Sequence, residues 1–179
     1  GQEFMKTTGA AYDQSEYEMY LQDGFTADGY GKRVTLRKAV NQDAMEIARQ
    51  NAIYFEEDLR EEDVLMPEEE ERYGSLIFMA EADGKTIGKV HLEVMDTAGG
   101  IYGLGVLPEY REKGYGREIL LQAVDRLLKT GAETVMLQVA VKNERALNIY
   151  RSCGFEIAST MDYFELRGSG KASQTIRRE

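Results

Sequence analysis

Arg111, Gly114 and Gly116 stand as R-x-x-G-x-G inside residues 105–120, GVLPEYREKGYGREIL. Glycines leave the backbone N–H groups of such a turn free to point inward together. The helix that starts there adds its own unpaired first-turn N–H groups and the positive end of its dipole. The chemistry this suits is the holding of a phosphate or pyrophosphate. A plain strand-to-helix turn would use the same glycines, so the loop alone does not decide. A second segment, residues 143–155 (NERALNIYRSCGF), puts an asparagine at a helix start and a tyrosine and a cysteine near its end. His91, the only histidine, and Glu93 share one strand face, because strand side chains repeat every two residues. Either could take a proton, and either could be an ordinary exposed strand residue.

The elements that position these residues follow from periodicity. Residues 34–40 (VTLRKAV) alternate as a strand, and Asn41 or Asp43 caps a helix through Met45, Ile47, Ala48 and Ala52 towards Phe55. Pro67 opens a second, short helix that ends near Gly74. Strands at 76–82 and 86–95 are joined by Asp83-Gly84, a hairpin turn, and 101–107 is the next strand after a turn at 96–100. Gly103 and Gly105 inside that strand predict a bulge or a close approach of ligand to backbone. A helix over 115–130 carries Ile119, Leu120, Ala123, Val124, Leu127 and Leu128 on one stripe and stops at Gly131. Residues 134–141 read as a buried strand, Asn143 caps a helix stopped by Gly154, and 155–160 and 162–166 read as a final pair of strands. Residues 15–21 (SEYEMYL) resemble the closing 159–166 (STMDYFEL). They read as an extra edge strand or as the last strand of a preceding domain of the same type.

Composition narrows the class. The chain has 179 residues, 42 % of them apolar, enough for one good core. A net charge of −10 argues against nucleic acid, which wants a basic face. The acidic surplus is local: residues 56–71 carry ten carboxylates against Arg60 alone, and the remainder is close to neutral. One cysteine, Cys153, excludes an internal disulfide and suits a reducing compartment. With no apolar run near the eighteen or so residues of a membrane span, and no signal peptide, the expectation is a cytoplasmic protein without membrane attachment or metal. Gly1–Phe4 precede Met5 and read as a leftover of cloning.

With the strand order and both motifs in hand, the chain resembles the GNAT (Gcn5-related N-acetyltransferase) superfamily over about 34–166, most specifically 104–155. The resemblance implies an α/β fold with a GNAT-like mixed, mostly antiparallel central sheet and helices on both faces. The domain would occupy 31–167, after an N-terminal extension (1–30) and before a mobile tail (168–179). It also implies acetyl-CoA as co-substrate. The pyrophosphate would sit on the backbone amides of Arg111, Glu112, Lys113, Gly114, Tyr115, Gly116 and Arg117, with the three cations adding charge. The pantetheine arm would lie in a splay between strands 101–107 and 134–141, with Leu104, Gly105 and Val106 offering backbone groups. Asn143 would bond the arm while also capping its helix.

Acetyl transfer to an amine requires a neutral nucleophile, a stabilised oxyanion and a proton for the departing thiolate. A backbone N–H near Leu104–Val106 suits the oxyanion. Tyr150 occupies the family's acid position, and a phenol with a pKa of about 10 keeps its proton at neutral pH; a core aromatic is the plainer alternative. Strand 101–106 contains no acid where many members carry a glutamate, which leaves Glu93, with His91 beside it, as the nearest base candidate. A water relay, or a substrate that arrives neutral, needs neither. Cys153 could suggest an acetyl-cysteine route, but its place before Gly154 favours a packed side chain and direct transfer.

The acceptor is a small-molecule or peptide amine, and the acidic run 56–71 is a funnel for a cationic amine or a solvated helix face. Tyr54, Phe55, Tyr73, Tyr163 and Phe164 line the acceptor pocket or belong to the core. A non-catalytic acyl-CoA sensor is the alternative function, and a homodimer through the edge of 15–21 stays open.

Overall fold

Asp83 and Gly84 take φ values of 51° and 73°, the left-handed pair that a two-residue hairpin turn demands. The hairpin they close joins β3 (Ser75–Ala82) to β4 (Lys85–Met95), around which residues 24–135 are built. The computed structural model describes residues 10–166 and 173–178. These form two compact units, 24–135 and 10–23 with 136–178.

In 24–135, β2 (Thr35–Lys38) and β5 (Ala98–Val106) flank the hairpin, giving the antiparallel order β2-β3-β4-β5. Three helices join them: α1 (Ala44–Tyr54), α2 (Pro67–Arg72) and α3 (Tyr115–Lys129). Alternation sorts β3 between two faces. Ile77 and Met79 are buried in one cluster with Ala39 and Ile47 of α1. Phe78 turns the other way, its ring 4.7 Å from the Arg126 guanidinium of α3. Helices therefore cover both faces. The expected α3 stripe is fully buried at Ile119, Leu120, Ala123, Val124 and Leu127. Each large member contributes about 1.5–3 kcal/mol by leaving water. Asn41 does not cap α1. Its Oδ1 accepts from the Glu68 N–H of α2 at 3.2 Å, while the Asp43 carboxylate accepts from Val40 N at 2.9 Å and from Arg37.

The other unit contains β1 (Ala10–Leu21), β6 (Thr134–Ala140) from residue 136 on, α4 (Glu144–Ser152), β7 (Phe155–Leu166) and β8 (Ser173–Arg178). Its strands run antiparallel in the order β6-β1-β7-β8. Three expectations change here. Residues 155–166 are one continuous strand rather than two, because their partner is β1 and no turn residue interrupts them. Residues 16–20 pair on both sides, with β6 and β7, so 15–21 is not an edge and offers no free ladder to a second copy. Within the tail expected to be mobile, Ser173–Arg178 form β8 against β7. Buried carboxylates explain that strand: Arg177 pairs with Glu18 and Arg178 with Asp162, which also accepts from the Ser15 hydroxyl. Residues 1–9, among them the Gly1–Phe4 expected to be a leftover of cloning, and 167–172 and 179 lie outside the described residues.

Candidate acyl-transfer site

The loop before α3 has the shape the glycines imply. Gly114 (φ 83°) and Glu112 (φ 65°) are left-handed, and Gly114 caps the helix. The bond from Glu118 N to Gly114 O (3.2 Å) is the first of the helix, so the N–H groups of Tyr115, Gly116 and Arg117 have no helical acceptor. Residues 111–114 and Arg117 are exposed. A Cβ on Gly116 would meet Val106 only at an ordinary 3.7 Å. Packing within the chain therefore does not demand glycine there, whereas close approach of an anion does. Arg111 Nε donates to the Val106 carbonyl at 2.9 Å and ties the loop to the end of β5, while Lys113 lies 6.0 Å over the Tyr110 ring.

Arg33 holds the loop from outside, and no local pattern marks it in the sequence. Its guanidinium stacks 4.7 Å over the Tyr115 ring, donates to Lys113 O at 2.9 Å and pairs with Glu118 at 3.3 Å. Glu118, 3 % exposed, also accepts from Val34 N at 2.8 Å. A cavity of about 200 Å³ opens between Gly114, Arg117 and this pair.

The bulge expected in β5 is present. Lys89 of β4 faces Gly105, and His91 faces Tyr102, so Gly103 and Leu104 together oppose Val90 alone. Gly103 is left-handed at φ 52°. Leu104, Gly105 and Val106 follow as a half-buried run, and the Tyr54 ring lies flat on Gly105, where a Cβ would come within 2.2 Å of it. Tyr54 donates to Gln50 at 2.8 Å, and Gln50 donates to Glu46 at 2.9 Å. Burial pushes the Tyr54 phenol upward.

Lys89, which sequence reasoning passed over, is fully buried on the α1 face. Its Nζ donates to Gly103 O at 2.9 Å, sits 3.0 Å from His91 Nε2 and 5.7 Å from the Tyr54 ring centre. Burial pushes Lys89 down to about 7. Burial and the neighbouring amine push His91 down to about 3. Unfolded, the imidazole takes its proton near 6.5, so its contribution to stability is complete above that pH and is lost as the pH falls towards 3. Urea unfolding between pH 7 and 4 is therefore expected to lose stability more steeply in the wild type than in His91→Gln. Equal slopes would count against a neutral buried imidazole. Glu93 is half-buried opposite Gly100, three residues or about 10 Å along β5 from Gly103.

In the other unit Asn143 caps α4, its Oδ1 accepting from Ala146 N at 3.2 Å. Tyr150 is 9 % exposed, its ring 6.4 Å from that of Phe155 at 61°, and burial pushes its phenol up to about 12. Cys153 is buried at 1 %. Of the five aromatics expected around an acceptor, Phe55 and Tyr73 are exposed at 62 % and 89 %, Phe164 is core and Tyr163 half-buried.

A bulged strand leading into a glycine-capped helix, on mostly antiparallel strands in a mixed α/β chain, defines the acetyltransferase fold class. The chain belongs to the acetyltransferase (GNAT) family, whose model matches residues 41–155. It is 33 % identical over 89 residues to the [ribosomal protein bS18]-alanine N-acetyltransferase of Escherichia coli K12, covering 50 % of this chain and 59 % of that enzyme. It is 28 % identical over 152 residues to an N-alpha-acetyltransferase of Sulfurisphaera tokodaii, covering 77 % of this chain and 89 % of that protein. Among solved structures, a GCN5-related N-acetyltransferase from Sphaerobacter thermophilus shares the fold with a TM-score of 0.69 at 17 % identity, over 88 % of this chain and 53 % of that one. A Bacillus subtilis acetyltransferase solved in complex with CoA gives a TM-score of 0.54 at 21 % identity, over 70 % and 77 %. No helix among the described residues is long and apolar enough to cross a membrane.

Proposed function

We propose that this chain is an acetyl-CoA-dependent N-acetyltransferase acting directly on an α-amino group of a peptide or protein. The observation that carries the reading is the cradle at 111–117 set beside the bulged, half-buried Leu104–Val106. The cradle fits the pyrophosphate of acetyl-CoA, which supplies an activated acetyl group and a thiolate leaving group. The amides and carbonyls of Leu104, Gly105 and Val106 orient the arm and its thioester, and an N–H group of this run meets the charge that develops on the thioester oxygen. The acceptor nitrogen bonds to the carbonyl carbon, the carbon–sulfur bond breaks, and Tyr150 donates to the departing sulfur. Asn143 serves the pantetheine arm.

The absence of an acid from β5 favours an α-amine. Such amines have a pKa of about 7.7–8.0, against about 10.4 for a lysine, so a useful fraction is already neutral, and after attack the nitrogen gives up one proton to water. The named activities of the two relatives, on an alanine of a ribosomal protein and on N-alpha groups, agree with this. The acidic 56–71 segment would draw in a basic acceptor, and the single buried thiol suits a reducing, cytoplasmic setting. The test compares an alanine-terminated peptide, an N-blocked lysine peptide and spermidine by product mass. At least tenfold preference in kcat/KM for the α-amine is expected, and turnover of side-chain amines alone would overturn that choice. Arg33→Ala, which frees the loop from outside, is expected to raise the Kd for acetyl-CoA three- to tenfold by calorimetry. An unchanged Kd would mean the cradle holds its shape without Arg33.

A further inference from the structure

We propose that Lys89 is a positioning residue for acyl transfer, its buried Nζ pinning the β5 bulge through the Gly103 carbonyl and holding an amine under the backbone that takes the thioester. This rests on the acetyl-CoA reading above and adds a residue to it.

A fully buried lysine ordinarily needs a carboxylate. Among the described residues the partners of Lys89 are instead a carbonyl and an imidazole. The carbonyl is that of the bulge residue itself, which the ladder to β4 leaves unpaired. The side chains placed at Nζ are His91 from β4 and Tyr54 from α1, and Tyr102 of β5 lies opposite His91 in the ladder. None is a carboxylate. Space is also allotted to the amine: a Cβ on Gly103 would stand 3.0 Å from Nζ. With His91 neutral, its Nε2 accepts one N–H and the Gly103 carbonyl another, so the amine is oriented whether or not it carries a third proton. Because β5 has no acid, this amine is the polar side chain set most directly beneath the bulge.

A lysine that merely fills space makes the opposite prediction to one that positions the bulge. Methionine has nearly the same shape and no desolvation cost, so Lys89→Met in a filling role would hold or raise Tm and leave turnover alone. In the positioning role Lys89→Met still holds Tm and binds acetyl-CoA within threefold of the wild type. It loses at least thirtyfold in CoA release with the alanine-terminated peptide. The carbonyl carbon of [1-13C]acetyl-CoA is expected to shift downfield on binding to the wild type, and Lys89→Met is expected to lose that shift. Wild-type turnover and an unchanged carbonyl shift in Lys89→Met overturn the proposal.

A measurement on the wild type alone guards against a variant that does not fold. His91, the only histidine, gives one 13Cε1 resonance. Acetyl-CoA is expected to move it, whereas 3′,5′-ADP, which fills the cradle alone, leaves it in place. Binding of acetyl-CoA without that movement overturns the placement of Lys89 at the thioester. Failure of the wild type to bind acetyl-CoA would instead overturn the underlying reading.

Discussion

Gly114→Glu is expected to weaken acetyl-CoA binding at least a hundredfold while leaving the protein folded. Gly114 sits at φ 83°, where a side chain costs roughly 1–2 kcal/mol. The larger effect is charge. A carboxylate at the mouth of the cradle would face the pyrophosphate proposed to bind there, and two unit charges 4 Å apart near a protein surface interact by about 4 kcal/mol. A hundredfold loss needs only about 2.7 kcal/mol. The new carboxylate would also compete for Arg33, whose Nη2 stands 3.2 Å from the position of the added Cβ. It would draw that guanidinium from Lys113 O, which it now holds at 2.9 Å. Gly114→Ala separates the two effects, since it brings the backbone strain without the charge, and it is expected to cost tenfold or less. Calorimetric titration of both variants decides the matter. Equal binding by wild type and Gly114→Glu would remove the pyrophosphate from this loop.

What could be read from the sequence was whatever local chemistry dictates. The R-x-x-G-x-G loop, the α3 stripe and the bulge at Gly103 follow from glycine conformation and side-chain period, and all three are in the structure. What could not be read depends on partners far along the chain. Lys89, His91 and Glu93 look like the solvated side of a half-buried strand. That side is covered because α1 returns across it and lays Tyr54 on Gly105, a contact fifty residues apart that no periodicity encodes. Likewise no local signal marks 155–166 as one strand, because its neighbour is distant in the chain. Its true neighbour is β1, where Glu16 lies opposite Met161. The polar composition of the tail gives no sign of β8. The arginines that make it polar answer buried carboxylates at Glu18 and Asp162.

Tyr150→Phe is expected to lower kcat by a hundredfold or more with acetyl-CoA affinity held within threefold. The substitution keeps the ring, and with it the edge-on contact to Phe155 and the burial of a residue only 9 % exposed, so stability should hardly change. What it removes is one O–H. Burial pushes that phenol up to about 12, which has two consequences. The proton is present at any pH at which the enzyme would be assayed, so Tyr150 imposes no alkaline limb below about pH 11. The phenol is also a weaker acid than an ordinary thiol, so full proton transfer to the departing sulfur is uphill. On the proposed reading its contribution is a charge-assisted hydrogen bond to sulfur as the carbon–sulfur bond stretches, strongest when the charge is greatest. Binding without turnover is the signature of that timing, because the bond is made in the transition state and not to the bound thioester. A core tyrosine would give the reverse, with kcat intact.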